Sequence, residues 1–437
     1  MLKNVTTEQR LRHIAKRLTD VAYIHMESQR NEENYKGVGR ITQTLSPLTL
    51  SHGYPSLCVL FSNLGIIDNN MKWMENSNVY VGEIVKWINE RGIQGASLFS
   101  GTAGIAFAIR IASLDGQYYS KLQRSLDEYL YEQIDKTLAV IKKKKATEMF
   151  DYDVVEGLTG IANYLFLIRN DNTSELFIRK ILDYLVTLSS YKDYNNYKIP
   201  NWHILNEHLF SDHEKGIFKD GILNVGLSHG IAGPLIILSK AYNRGLIVEG
   251  HLEAINRIVG DILRLKNHNS NNWGGMININ NYIDTNMIIN EPSRSAWCYG
   301  TPGTAFALLC AAEALNDLEL LGLAKQAMLD LIGKEEGLFS PTFCHGYAGI
   351  TYIYKRFYEK TLDIRFLEES HRLKEKTLEY FNEANSFGFL DIELKDNNLL
   401  KLNSIGILQG ITGVLLPLLS FEENSPSTWS AAFLLDD

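Results

Sequence analysis

Three residues in the last third of the chain, Cys298, Cys344 and His345, have the types to hold a metal. Two thiolates and an imidazole make a zinc donor set, and three protein ligands with a fourth position open mark a catalytic rather than a structural zinc. The CxxC spacing of ribbons and fingers is missing. Taken singly, Cys298 and Cys344 read equally well as small buried hydrophobes, as free cysteine often is. Other groups could share a site with them. His229 has the side chain best suited to proton transfer near neutral pH, or it is only a turn residue at a helix start. Asp153 and Glu156 can orient a histidine or arginine, or cap a helix. Arg294, four residues before Cys298, can stabilise an oxyanion, or is a surface charge. Cys58 and Cys310 lie in apolar runs and are expected in the core.

A repeat turns these scattered residues into one group. "SHGYPSLCVLF", "FSGTAGIAFAI", "VEGLTGIANYLF", "SHGIAGPLIIL", "CYGTPGTAFALL", "CHGYAGITYIY" and "LQGITGVLLPLL" are seven copies of one motif. Six keep Gly-x-x-Gly; the first has Ser56 for the second glycine. The first glycines are 48, 56, 73, 70, 46 and 64 residues apart. Cys298 and Cys344 both stand two residues before their glycine, one repeat apart. Immediately before the glycines stand His52, Ser100, Glu156, His229, Tyr299, His345 and Gln409. In a closed ring, equivalent positions converge on the axis, and glycine lets the backbones of tight turns approach closely. His52, on the divergent first unit, is read as structural.

The elements that must carry these turns are helices. Each motif leads into a nearly unbroken apolar run, as a helix buried on all sides does. Between the runs lie amphipathic stretches such as Tyr119–Lys143, with Leu122, Leu126, Leu130, Ile134 and Leu138 on one face. The expected fold is all-α: residues 1–437 as one α/α toroid of seven inner and seven outer helices, with a small β-containing insertion. The two longest spacings place insertions at 190–225 and 267–295. Both are rich in Asn, Gly and aromatics and strand-like, and they are expected to pair as an accessory subdomain.

Bulk properties narrow the function. The chain has 437 residues, 45% hydrophobic and 22% charged, with net charge −8 and pI ≈ 5.8. That balance argues against nucleic acid as a partner, and the basic run Lys142–Lys145 reads as a solvated helix end. Four cysteines in so long a chain make no disulfide framework and suit a reducing compartment. The N-terminus lacks a signal-peptide core, and "GILQGITGVLLPLLSF" is too short and interrupted to span a membrane. A cytoplasmic location is expected.

The seven motifs, with "SRSAWCYGTPG", "FCHGYAG", "LSHGIAG" and "YDVVEGLTG", resemble the lanthionine synthetase C-like family, above all the stand-alone cyclases of class I lantibiotic biosynthesis. The likeness covers nearly the whole chain. It implies an α/α toroid with a central Zn2+ held by Cys298, Cys344 and His345, and further active-site positions at His229, Asp153, Arg294 and Tyr299. It implies a dehydrated lantibiotic precursor peptide as substrate, whose cysteine thiols add to dehydroalanine or dehydrobutyrine to form (methyl)lanthionine rings. A dehydratase and a peptide exporter are the implied partners, with peripheral membrane association through them. The proton donor to the α-carbon is expected to be His229. Two other readings stand beside this one. One is a zinc-containing thiol- or peptide-binding scaffold without turnover. The other is an α/α-toroid glycosidase using Asp153 and Glu156, which leaves the Cys-Cys-His set unexplained.

Overall fold

A computed structural model describes residues 6–31, 44–168, 171–284, 289, 294–395 and 398–436. The apolar runs form seven inner helices: α3 (Tyr54–Ile67), α5 (Thr102–Ala112), α8 (Leu158–Leu165), α11 (Ala232–Asn243), α14 (Thr301–Leu315), α16 (Tyr347–Thr361) and α18 (Ile411–Leu419). They are buried nearly all round, as apolar composition on every face demands. Each packs on the next, and α18 returns onto α3, so the ring closes.

Six outer helices follow their inner partners: α4 (Met71–Arg91), α6 (Ser120–Ile141), α9 (Asn172–Leu188), α12 (His251–Arg264), α15 (Leu318–Leu329) and α17 (Ile364–Glu379). On α6 the buried face is Leu126, Leu130, Ile134 and Leu138, at the four-residue spacing of the sequence. The seventh outer position is filled from the other end of the chain. There α1 (Thr7–Arg17), joined to α2 (Val21–Gln29), packs against α18. After α18 the chain instead enters the ring as a 3-10 turn, Thr428–Phe433. Trp429 and Phe433 are fully buried there, Phe433 stacked on Phe343 at 3.5 Å and facing Trp297 at 5.2 Å. Trp297 Nε1 donates to Phe433 O at 3.0 Å. This aromatic plug fills the axis behind the glycine turns.

The turns themselves are laced together by main-chain hydrogen bonds. Ser51 N donates to Phe99 O (3.0 Å), Phe99 N to Val155 O (3.2 Å) and Val154 N to Ser228 O (3.0 Å). Ser228 N donates to Cys298 O (3.3 Å), Cys298 N to Cys344 O (3.2 Å) and Cys344 N to Leu408 O (3.0 Å). Ile407 N to Leu50 O (3.4 Å) completes the circle. Equivalent repeat positions thus meet in one continuous belt. The second glycine is forced by close approach. A Cβ on Gly349 would lie 2.0 Å from Phe343 O, and one on Gly104 2.0 Å from Leu98 O, the same repeat position. In the first unit Ser56 takes this place, its hydroxyl donating to Gly53 O at 2.7 Å and Ile405 O at 3.0 Å.

Strands are short and peripheral. Between α9 and α11 lie a hairpin, β1 (Tyr191–Tyr194) with β2 (Tyr197–Pro200), then α10 (Asp212–Ile217) and β3 (Ile222–Asn224). β3 pairs antiparallel with β4 (Met276–Asn278), which leads into α13 (Ile279–Ile283), so the two segments inserted before α11 and α14 meet. Of the span 267–295, residues 285–288 and 290–293 lie outside the described residues. A further hairpin, β5 (Asp391–Lys395) with β6 (Asn398–Leu402), precedes α18.

Candidate functional site

Each candidate residue sits at the entry of an inner helix, where the glycine turn aims side chains toward the axis. Cys298 leads α14 and Cys344 leads α16. The two sulfurs are in hydrogen-bond contact. That contact pulls the Cys298 thiol below its ordinary pKa against the opposing effect of burial, with Arg294 adding to the fall. The partner thiol of Cys344 is pushed well up, by the same contact and by burial. Of the two, Cys298 is the thiol that gives up its proton more readily. Cys298 is 4% exposed. The turn before α14 is tight enough to hold Gly300 at φ +99°, where a Cβ would lie 1.7 Å from Arg294 O.

His345 follows Cys344 and is buried. Burial, with the charge of Arg294, lowers its imidazole to about 4, so it is a neutral donor at neutral pH. Its Nε2 is buried without a hydrogen-bond partner and lies 3.8 Å from Glu393 and 4.0 Å from Asp391. Among the described residues, His345, Asp391 and Glu393 are the group whose ligand atoms all lie within 4.8 Å of one another. The two thiols stand outside it, paired with each other. Sulfur and imidazole donors together suit a soft divalent metal, and a Cys298 thiol lowered in pKa beside a neutral imidazole whose buried Nε2 is unpartnered fits one.

His229, at the entry of α11, is one side of a dyad. Its Nδ1 donates to Asp153 Oδ2 at 2.5 Å, and Asp153 is fully buried. The other Asp153 oxygen accepts from the main-chain N–H groups of Glu156 and Gly157, both at 2.7 Å. With Nδ1 held by the carboxylate, Nε2 is the free ring nitrogen for proton transfer. Asp153 hangs from the short helix α7 (Met149–Tyr152). Glu156 accepts from Ser100 Oγ at 2.6 Å and is raised in pKa by burial. With both Asp153 oxygens engaged in this way, the carboxylate pair required by a glycosidase is spent on other partners.

Tyr299 packs beside His229, ring centroids 6.4 Å apart. Burial raises its phenol far above the ordinary range, keeping it protonated and able to donate. Arg294 lies over the Phe339 ring at 5.6 Å and throws its charge on both thiols and His345. His52 bonds Gln409, and burial lowers its imidazole to about 4. Cys58 and Cys310 belong to α3 and α14, and burial raises both thiols, Cys310 to about 12. Phe150 and Phe210 stack on each other at 5.2 Å and edge onto His229, while remaining 49% and 44% exposed.

The sequence reading missed Asp391 and Glu393. The signal was present: a 64-residue spacing before Gly410, and the alternation "DIELK", "LLKL" around Asp-Asn-Asn, a hairpin pattern.

Residues 44–434 match the family described as lanthionine synthetase C-like protein. Nisin biosynthesis protein NisC of Lactococcus lactis subsp. lactis is 29% identical over 418 residues, 94% of this chain and 92% of that protein. The solved structure of a nisin cyclase aligns with a TM-score of 0.77 at 27% identity, covering 95% of this chain and 96% of that one.

Proposed function

The chain belongs to the lanthionine synthetase C-like family, and on that premise we propose that it is a peptide cyclase of lantibiotic biosynthesis. It adds cysteine thiols of a dehydrated precursor peptide to dehydroalanine or dehydrobutyrine, forming lanthionine and methyllanthionine rings. One observation carries the reading: Cys298 and Cys344, joined through Cys298 N to Cys344 O at 3.2 Å, stand on the same belt of turns as the His229–Asp153 dyad.

Cys298, Cys344 and His345 would hold a zinc ion, whose charge lets a substrate thiol ionise near neutral pH. The remaining chemistry belongs to the chain. The substrate sulfur bonds the β-carbon of the dehydro residue, the alkene pair moves onto the adjoining carbonyl, and a proton reaches the α-carbon. The proton lost by the thiol balances the one gained, so mass is unchanged. His229 takes up the proton released by the thiol on Nε2 and delivers it from there as the imidazolium, whose charge and orientation Asp153 holds through Nδ1–H. Arg294 and Tyr299 are the cation and donor suited to the enolate oxygen. The exposed rings of Phe150 and Phe210 beside His229 offer a surface for apolar side chains of the peptide.

Substrate of this kind requires a dehydratase upstream, and a finished peptide requires an exporter. Among the described residues no helix is long and apolar enough to cross a membrane, so membrane association would run through such partners. The segments 190–225 and 267–295 act as one accessory subdomain on the single toroid. The test is metal analysis of wild type against Cys298→Ala, followed by incubation with dehydrated peptide and an alkylating agent. Zinc in the wild type alone, with loss of alkylatable thiol at unchanged mass, is expected. Stoichiometric peptide binding with every thiol still alkylatable would overturn cyclisation in favour of a scaffold.

A further inference from the structure

The β5–β6 hairpin brings two carboxylates behind His345, and neither belongs to the donor set above. Asp391 is 5% exposed, and its Oδ1 accepts from Ser340 Oγ and Thr342 Oγ1, both at 3.2 Å. Those hydroxyls belong to the turn that carries Cys344 and His345, so the carboxylate is fixed to the segment it faces. Two residues on, and therefore on the same side of the strand, Glu393 is held by Gln409, which also bonds His52. The space between them is filled by His345 Nε2, 6% exposed as a residue and unpartnered. Carboxylates 3.8 and 4.0 Å from a buried ring nitrogen need only a small ring movement to reach hydrogen-bond distance.

A metal-ligating histidine needs its second ring nitrogen fixed, because that bond sets the tautomer and the ring orientation. We propose that Asp391 is a positioning residue for His345. It accepts Nε2–H, which leaves Nδ1 unprotonated and available to a metal. Glu393, anchored through Gln409 and His52, closes the other side. Asp391 is chosen over Glu393 because it is the more buried and is bonded to the ligand turn itself. This also gives His52 a place, at the far end of a polar chain that ends on the metal ligand. The competing arrangement has His345, Asp391 and Glu393 themselves holding the ion. Such an oxygen-rich set favours harder ions and leaves the thiol pair idle.

The inference rests on the proposed function only for the presence of a metal, and the experiment separates the two. Full-length wild type, Asp391→Ala, Asp391→Asn and Cys298→Ala are titrated with zinc against a chromophoric chelator. They are then loaded with cobalt, and thiolate-to-cobalt charge transfer is recorded. Asp391→Ala is expected to bind zinc roughly 10–100-fold more weakly. Asp391→Asn, which keeps an acceptor oxygen, recovers part of that loss. The charge-transfer band persists in both and vanishes in Cys298→Ala. Wild-type affinity in Asp391→Ala overturns the inference alone, whereas cobalt bound without the band in wild type overturns it together with the Cys298, Cys344 and His345 ligand set. Wild type that takes up no metal overturns the proposed function with it. Should Asp391→Ala fail to fold, Asp391→Asn is compared instead, and undiminished affinity there overturns the positioning role.

Discussion

At the scale of single residues, the site separates two tasks by burying different groups. Burial and the Arg294 charge keep His345 neutral, while mutual contact lowers the pKa of one of two buried thiols, Cys298. His229 keeps one nitrogen free because the fully buried Asp153 takes the other. Replacing His229 by Ala should therefore lower the cyclisation rate by roughly 10²–10⁴-fold, the usual worth of a general acid. Zinc content should stay at the wild-type level. Single-turnover mass spectrometry of alkylated peptide measures the rate, and an undiminished rate would remove His229 from the mechanism.

At the scale of elements, what matters is how peripheral strands are tied to the ring. Asp261 of α12 accepts from Tyr191 of β1 at 3.1 Å and Tyr282 of α13 at 2.8 Å, joining segments from both insertions to an outer helix. Burial raises the Asp261 carboxyl to about 6, the two phenols and Arg264 only partly opposing it. A carboxyl raised by folding contributes stability that is full below its unfolded value near 4 and is lost as pH rises through 6. Asp261→Asn keeps the acceptor oxygen and removes the buried charge. Relative to wild type, the variant should gain about 2–3 kcal/mol between pH 4 and pH 7. Urea denaturation at the two pH values checks this; a pH-independent difference would contradict it.

At the scale of the whole molecule, the ring needs two closures. The belt of main-chain hydrogen bonds joins its seven turns, and the aromatic plug fills the axis behind them. Trp429 is fully buried against Tyr352 at 4.6 Å and Phe343 at 6.0 Å. Trp429→Ala should cost about 3–5 kcal/mol of stability, as large aromatic truncations in cores do. A denaturation midpoint unchanged from wild type would show that the plug is dispensable to the ring.

The repeat, its register and the helix type of each run were determined by sequence alone. Glycine spacing and apolar periodicity are local properties, and carbonyl–Cα approaches within one turn dictate where glycine must stand. The same register sets Cys298 and Cys344 at equivalent positions, each two residues before its glycine. Three things were decided only by the tertiary structure. The outer ring takes its seventh helix from the N-terminal segment, because the chain after α18 fills the axis instead. His229 finds Asp153 across 76 residues. Asp391 and Glu393 reach His345 from a hairpin outside the repeat. Contacts of this kind depend on which distant segments the closed ring brings together, and hydrogen bonds between them leave no periodic trace in the sequence that makes them.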